Sequence, residues 1–201
     1  MDCPVEAKRA LRARIRAERA ALSDAERTDA ADRVRDRLLA LRPVAQARTV
    51  MVYAASAEEL SLDSFAESLS DAGVTVGFPL VEGAFDMSIR RIDPRDEESF
   101  VSGAFGIREP VADAPLIEPA AVDCVIVPGL AFTEDGRRIG YGGGFYDNLL
   151  PRLRAGCVRI AVGFDLQGVS DLPCEEHDER VDLVVTPSAT RVTGARGCAV
   201  L

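Results

Sequence analysis

Short β-branched runs alternating with amphipathic stretches set the rhythm of this 201-residue chain. Apolar residues recur at helical spacing over residues 5–20, and a second helix opens at Ser23-Asp24-Ala25-Glu26, where a serine three residues ahead of a glutamate forms a capping-box pattern. A first strand is predicted over 49–53, a helix over 62–72 stopped by Gly73, and a second strand over 74–78. Residues 87–92, with Ser88 and Arg90 between apolar neighbours, read as an outlying strand. The run 122–127 lacks polar alternation and is closed by Pro128-Gly129, as expected of a strand buried on both faces of a parallel sheet. Further strands are predicted over 158–164 and 182–186, and a helix over 145–153. The proline- and glycine-rich stretch 93–119 is predicted to be mostly loop, and the chain after Pro187 weakly structured. Strands and helices in this order predict an α/β fold with a largely parallel sheet and no internal repeat. Ligands of such sheets collect beyond the carboxyl ends of the strands. Segments 53–59, 79–82, 128–146 and 164–178 all follow strands and are expected to meet at one edge.

Composition narrows the class. With 47% hydrophobic residues, 201 residues can bury one core, which predicts a single domain over 1–201. No apolar stretch approaches the ~20 residues of a membrane span, and Met1-Asp2-Cys3-Pro4 followed by a charged helix does not read as a signal peptide. A cytoplasmic monomer with no membrane partner is the expectation. Cys3, Cys124, Cys157, Cys174 and Cys198 contain no C-x-x-C pair, so neither a zinc site nor a disulfide framework is suggested, and Cys124 and Cys157 read as small core residues. A net charge of -9 argues against a nucleic-acid partner, although Lys8, Arg9, Arg12, Arg14, Arg16 and Arg19 form a basic cluster able to hold phosphates of any kind. Lys8 is the single lysine among 24 basic residues; the acidic, arginine-biased balance points to a salt-adapted or GC-rich source.

The densest chemistry follows the buried run. Gly136, Gly140, Gly142, Gly143 and Gly144 can turn several backbone N–H groups into one concavity, beside the start of a helix at Phe145. Such a junction favours anions. Arg137 and Arg138 add fixed cations, and Asp147 adds a carboxylate suited to a phosphate-bound magnesium. The spacing is neither a Walker loop nor a dinucleotide fingerprint, because Phe145 stands where the latter needs its last glycine. The bland alternative is a flexible glycine turn with solvated arginines.

The segment resembles the 5-formyltetrahydrofolate cyclo-ligases, or methenyltetrahydrofolate synthetases, whose signature is close to V-P-G-x-A-F-x-x-x-G-x-R-x-G-x-G-x-G-x-Y-D. Val127-Pro128-Gly129, Ala131-Phe132, Gly136, Arg138, Gly140, Gly142, Gly144 and Tyr146-Asp147 fall in register with it. The similarity extends to Lys8-x-x-x-Arg12, to a strand ending near Tyr53 and followed by Glu59, and to Phe164 through Leu172-Pro173-x-Glu-x-His177-Asp178. The resemblance implies a three-layer α/β/α domain of the NagB/RpiA/CoA transferase type. It implies a reaction in which ATP phosphorylates the N5-formyl oxygen of 5-formyltetrahydrofolate, polyglutamated or not, and N10 attacks the activated carbon. Phosphate then leaves, giving 5,10-methenyltetrahydrofolate, with Mg2+ as cofactor and ATP as co-substrate.

By the same resemblance, ATP is held by Lys8, Arg12, Arg138 and the loop Ile139, Gly140, Tyr141, Gly142, Gly143, Gly144, Phe145 and Tyr146. Tyr53, Ala54, Glu59, Tyr141 and Phe145 face the folate; Asp147 and Asp178 hold the metal; Arg138, Tyr146 and Glu59 carry the catalytic assignment. Members of the family often carry a basic residue where this loop has Tyr141 and Gly143, and a threonine where Leu62 stands, so Glu58 remains a rival to Glu59. From the residues alone, a phosphate-binding α/β isomerase and a catalytically weak RNA- or nucleotide-binding homologue stay open as other classes. Glu59 can also be read as a helix-start acid, and Asp178 as part of a solvated acidic run.

Overall fold

The structure, a computed structural model, describes residues 4–103, 106–173 and 178–195. Helix α1 (Pro4–Ala20) leads into α2 (Asp24–Leu39), whose Ser23–Glu26 capping box forms as the sequence predicts, and into a single turn, α3 (Arg42–Ala45). There follow β1 (Thr49–Met51), α4 (Asp63–Asp71), β2 (Thr75–Val81) and β3 (Met87–Arg91). The next strands are β4 (Phe100–Ser102), β5 (Arg108–Pro110), β6 (Leu116–Ile117), β7 (Cys124–Val127), β8 (Ala131–Phe132) and β9 (Arg138–Ile139). Helix α5 (Phe145–Leu149), β10 (Val158–Val162), β11 (Leu183–Val185) and β12 (Thr190–Val192) complete the order.

The main sheet runs β12-β11-β10-β7-β1-β2-β3-β6. Its centre, β11-β10-β7-β1-β2, is parallel, and antiparallel strands flank it on both edges. Alternation along the central strands divides the core. Cys124 and Ile126 of β7 join Val34, Leu38, Phe65 and Leu69 of α2 and α4 on one face, while Val125 and Val127 join Leu149, Leu150 and Leu153 on the other. Period-two alternation of an all-apolar strand requires a helical layer on each face, and the architecture is α/β with a mostly parallel central sheet. Among the described residues no helix is long and apolar enough to cross a membrane.

Four expectations are corrected. Stretch 93–119 contains the β4–β5 ribbon and β6; Phe100 meets Phe78 edge to face at 5.1 Å, and Ile117 pairs with Ile89, so distant partners supply order that its prolines and glycines conceal. After Pro187, Thr190–Val192 pairs with β11 at the sheet edge. The loop 128–144 contains the β8–β9 hairpin. The helix predicted over 145–153 is α5 followed by a 3-10 turn at Leu150–Arg152, where Pro151 lacks the N–H needed to continue α-helical bonding.

Candidate active site

The order of the parallel strands creates the site. From β1 the chain moves through α4 to β2 on one side, whereas β7, β10 and β11 build outward on the other, so the loops leaving β1 and β7 diverge at a topological switch point. Buried Gln167 ties the neighbouring exits together: its amide nitrogen donates to Gly129 O at 2.8 Å and Leu130 O at 3.2 Å, and its Oε1 accepts from Phe164 N at 2.8 Å. The β8–β9 hairpin then turns at Gly136, with φ of 83° and an ideal Cβ only 2.5 Å from Val181 O, so only glycine fits. At Gly144, φ of 67° turns the chain into α5 and brings Tyr146 and Asp147 back over Arg138.

Arg138 is the centre of this arrangement. Its Nη2 donates to Asp147 Oδ1 at 2.6 Å, and its guanidinium lies 6.0 Å from the Tyr146 ring centroid. Arg138 Nε and the Tyr146 hydroxyl are both buried without a hydrogen-bond partner among the described residues. Burial pushes the guanidinium below its ordinary pKa, against the opposing pull of Asp147, Tyr146, Asp178 and Glu179. Burial likewise pushes the Tyr146 phenol upward, with Glu59 adding to the shift and Arg138 opposing it. A buried cation beside an unsatisfied phenol is a site prepared for anionic or carbonyl oxygen.

Helix α1 lies across these loops. Lys8 Nζ pairs with Asp178 Oδ2 at 3.4 Å, and Arg12 Nε donates to Gly140 O at 2.9 Å. Lys8, Arg12, Ile15 and Arg19 follow i, i+4, i+7, i+11 spacing and so share one face. Ile15 is buried with Leu130, Ala131, Ile139 and Leu172. Ile139 therefore turns its side chain into the core, and its carbonyl accepts from Leu130 N at 2.7 Å; its part is to hold β9 rather than to offer a ligand group.

On the β1 side, the buried Tyr53 hydroxyl donates to Leu60 O at 2.9 Å, and Ala54 is buried beside it in sequence. Glu59 Oε2 accepts from Ser56 N at 2.9 Å, and its charge reaches Tyr53, Tyr141 and Tyr146. Glu58 instead pairs with Arg16 at 3.2 Å and lies 3.6 Å from Arg19. The geometry thus places Glu59, not Glu58, among the tyrosines. Phe145 packs on the glycine loop, where a Cβ at Gly143 would meet its ring at 2.8 Å, and its body rests on the second core face.

Asp147 stands in the first turn of α5 and Asp178 on the segment before β11: Asp147 Oδ1 also accepts from Glu179 N at 3.2 Å, which draws that segment to the helix. Both carboxylates face Arg138 electrostatically. Hard oxygen donors of this kind suit a magnesium ion that would take its remaining ligands from phosphate and water. No cluster of three or more His, Cys, Asp or Glu side chains suited to a metal occurs among the described residues. His177 lies outside those residues, as do Cys3, Cys174 and Cys198. A cavity of about 390 Å³ lies at the opposite end of the sheet, between Arg42, Asp123 and Arg154, away from all these groups.

Sequence reasoning placed Arg19 only in a basic cluster of α1, not against Tyr141, and missed Gln167 altogether. Arg19 had a signal in its shared face with Lys8 and Arg12. Gln167 had none, since the carbonyls its amide nitrogen holds, Gly129 O and Leu130 O, lie 38 and 37 residues away in sequence.

The sequence model of the 5-formyltetrahydrofolate cyclo-ligase family matches residues 4–187. The chain is 31% identical to a 5-formyltetrahydrofolate cyclo-ligase of Escherichia coli K12 over 176 residues, covering 87% of this chain and 97% of the relative. It is 28% identical to one of Mycolicibacterium smegmatis over 186 residues, covering 90% and 93%. Among solved structures, 5,10-methenyltetrahydrofolate synthetase of Aquifex aeolicus superposes with a TM-score of 0.82 at 31% identity, covering 92% of each chain. A 5,10-methenyltetrahydrofolate synthetase from Mycoplasma pneumoniae, at 24% identity and a TM-score of 0.73 over 90% of this chain and 98% of that one, shares the fold.

Proposed function

The chain belongs to the 5-formyltetrahydrofolate cyclo-ligase family, and from that premise we propose which of its side chains hold the two substrates and which carry the chemistry. The enzyme converts 5-formyltetrahydrofolate and ATP to 5,10-methenyltetrahydrofolate, ADP and phosphate. An amide oxygen is a poor leaving group, so the formyl oxygen first attacks the γ-phosphorus and ADP departs. N10 then attacks the formyl carbon, the N10 proton is lost, and phosphate leaves with the former formyl oxygen. Catalysis of this kind rests on alignment and on neutralising phosphoryl charge rather than on a covalent enzyme nucleophile.

The observation that carries the assignment is the buried Arg138, paired with Asp147 yet retaining an Nε that, like the Tyr146 hydroxyl beside it, has no partner among the described residues. Arg138 neutralises the phosphoryl group in flight, and Tyr146 donates a hydrogen bond to the oxygen that bears its charge. Lys8 and Arg12 hold ATP phosphates at the glycine loop, residues 140–146. Glu59, with Tyr53 and Ala54, orients the pterin and formyl end, while Tyr141 and Phe145 stand between the two substrates. Asp147 and Asp178 hold Mg2+ brought in with ATP; when bound, the ion neutralises phosphate charge. Lys8 and Arg138 balance these carboxylates without it. The proposal extends to a single-domain cytoplasmic monomer acting on 5-formyltetrahydrofolate or its polyglutamates without nucleic acid.

The test is growth of the methenyl absorbance with 5-formyltetrahydrofolate, Mg2+ and ATP, run from low to high salt beside Asp147→Ala and Arg138→Met. Turnover by the native chain and its loss in both variants is expected. Full activity in either variant would remove that residue from the site, and silence of the native chain at every salt would sink the catalytic reading.

A further inference from the structure

The far end of the α1 face carries a cation that the reaction as assigned does not use. Arg19 is 1% exposed, although it lies on a helix whose other arginines mostly point outward. Its Nη2 donates to the Tyr141 hydroxyl, its guanidinium carbon sits 5.6 Å from the Tyr141 ring centroid, and its Nε is buried without a partner among the described residues. Its nearest carboxylate, Glu58 Oε2, stands 3.6 Å away. A buried guanidinium with so little compensation costs stability, and it is retained only where its contacts fix a geometry.

That geometry spans both halves of the site. Tyr141 belongs to the glycine loop, yet Glu59 of the turn after β1 acts on its hydroxyl electrostatically. The turn carrying Ser56 and Glu59 is held from the same side: Arg16 and Arg19 pair with Glu58, and Arg27 donates to Ala57 O at 3.3 Å and to the Arg19 carbonyl. A phenol that accepts from the Arg19 guanidinium keeps its own proton for another acceptor. Tyr141 is 49% exposed, so part of its side chain is open to a ligand.

We propose that Arg19 is a positioning residue that latches Tyr141 of the nucleotide loop onto the Ser56–Glu59 turn, fixing Tyr141 as the aromatic wall and hydrogen-bond donor of the folate side of the site. The proposal rests on the assignment of Glu59 and Tyr141 to the folate side. Arg19 acts through Tyr141 and touches neither substrate.

Equilibrium binding of 5-formyltetrahydrofolate tests this without requiring turnover, so an inactive enzyme would count against the catalytic reading and leave the latch measurable. The variants are Arg19→Met, Tyr141→Phe and the double variant, with ATP binding and thermal midpoint measured in parallel. Each single change is expected to weaken 5-formyltetrahydrofolate binding about ten-fold, and the double variant to be no weaker than the worse single, because contacting residues that act as one unit do not add. In turnover by Arg19→Met the KM for 5-formyltetrahydrofolate rises by the same factor and the KM for ATP does not. Losses that multiply, or an Arg19→Met change confined to the thermal midpoint, would overturn the latch. Should Arg19→Met fail to fold, Tyr141→Phe alone decides: it keeps the ring and removes only the hydroxyl, and undiminished folate affinity would overturn the proposal.

Discussion

At the scale of single residues, the site depends on groups whose chemistry has no close substitute. Arg138 offers a planar fork that binds Asp147 on one side while its Nε remains for another oxygen. A lysine would keep the charge but present a single point donor. Arg138→Lys is therefore expected to lower kcat by about 10²-fold, on the scale of losing one preorganised donor to a transition-state oxygen, with the fold retained in circular dichroism. Gly136→Ala tests conformation rather than chemistry: φ of 83° and a Cβ 2.5 Å from Val181 O leave alanine no room. Its denaturation midpoint should fall by the equivalent of more than about 1 kcal/mol, since an alanine forced to positive φ is strained beyond any entropic gain. Arg138 and Gly136 were both legible in the sequence, because a glycine loop with an arginine and an acid has few structural uses. The Glu58–Glu59 ambiguity was not; it turned on which carboxylate met Arg16, a contact between residues 42 apart.

Whole elements add cooperativity to these contacts. The capping box that opens α2 satisfies its first backbone N–H groups: Ser23 Oγ accepts from Glu26 N at 3.3 Å, and Glu26 Oε2 accepts from Ser23 N at 2.8 Å. Ser23→Ala should lower the thermal midpoint by about 2–4 °C, as loss of a cap does in a chain of this size, without altering kcat. Helix α1 is held differently. Apart from Ile15 and the partly buried Leu11, its inner face docks through Lys8, Arg12 and Arg19, all polar and all on loops of the candidate site. Sequence pattern located both helices but not this difference, because charge spacing along a helix does not reveal what lies opposite. The β8–β9 hairpin and the short edge strands were hidden for a related reason: two- and three-residue strands carry no periodicity and form only when a partner strand is already in place.

For the molecule as a whole, titration offers a direct reading of the site. The chain has three tyrosines and no tryptophan, and Tyr53, Tyr141 and Tyr146 all lie in the site. In the fold all three phenols are pushed upward by burial first and by Glu59 next. An unfolded phenol titrates near about 10. Stability contributed by keeping these groups neutral is thus complete below about pH 10 and is lost as pH rises further, because the unfolded chain releases its protons first. Phenolate absorbance should lag that of free tyrosine and then rise together with loss of secondary structure; full titration at pH 10 in an intact fold would contradict the burial argument. A net charge of -9 adds self-repulsion. Raising salt from about 0.1 to 1 M, which shortens the screening length from about 10 to about 3 Å, should raise the thermal midpoint.

The sequence by itself determined the α/β class, the central strands, the two long helices and the position of the glycine-rich loop that carries Arg138. Those properties are written in local periodicity, in capping residues and in glycines whose spacing fits few backbones. Only the tertiary structure decided which acid faces the tyrosines, how Gln167 joins two strand exits, and why Arg19 is buried against Tyr141. These depend on strand order, which brings the loops after β1 and β7 to one edge from positions far apart in the chain. Contacts of that range follow from how the whole sheet closes its core, and no local pattern encodes them.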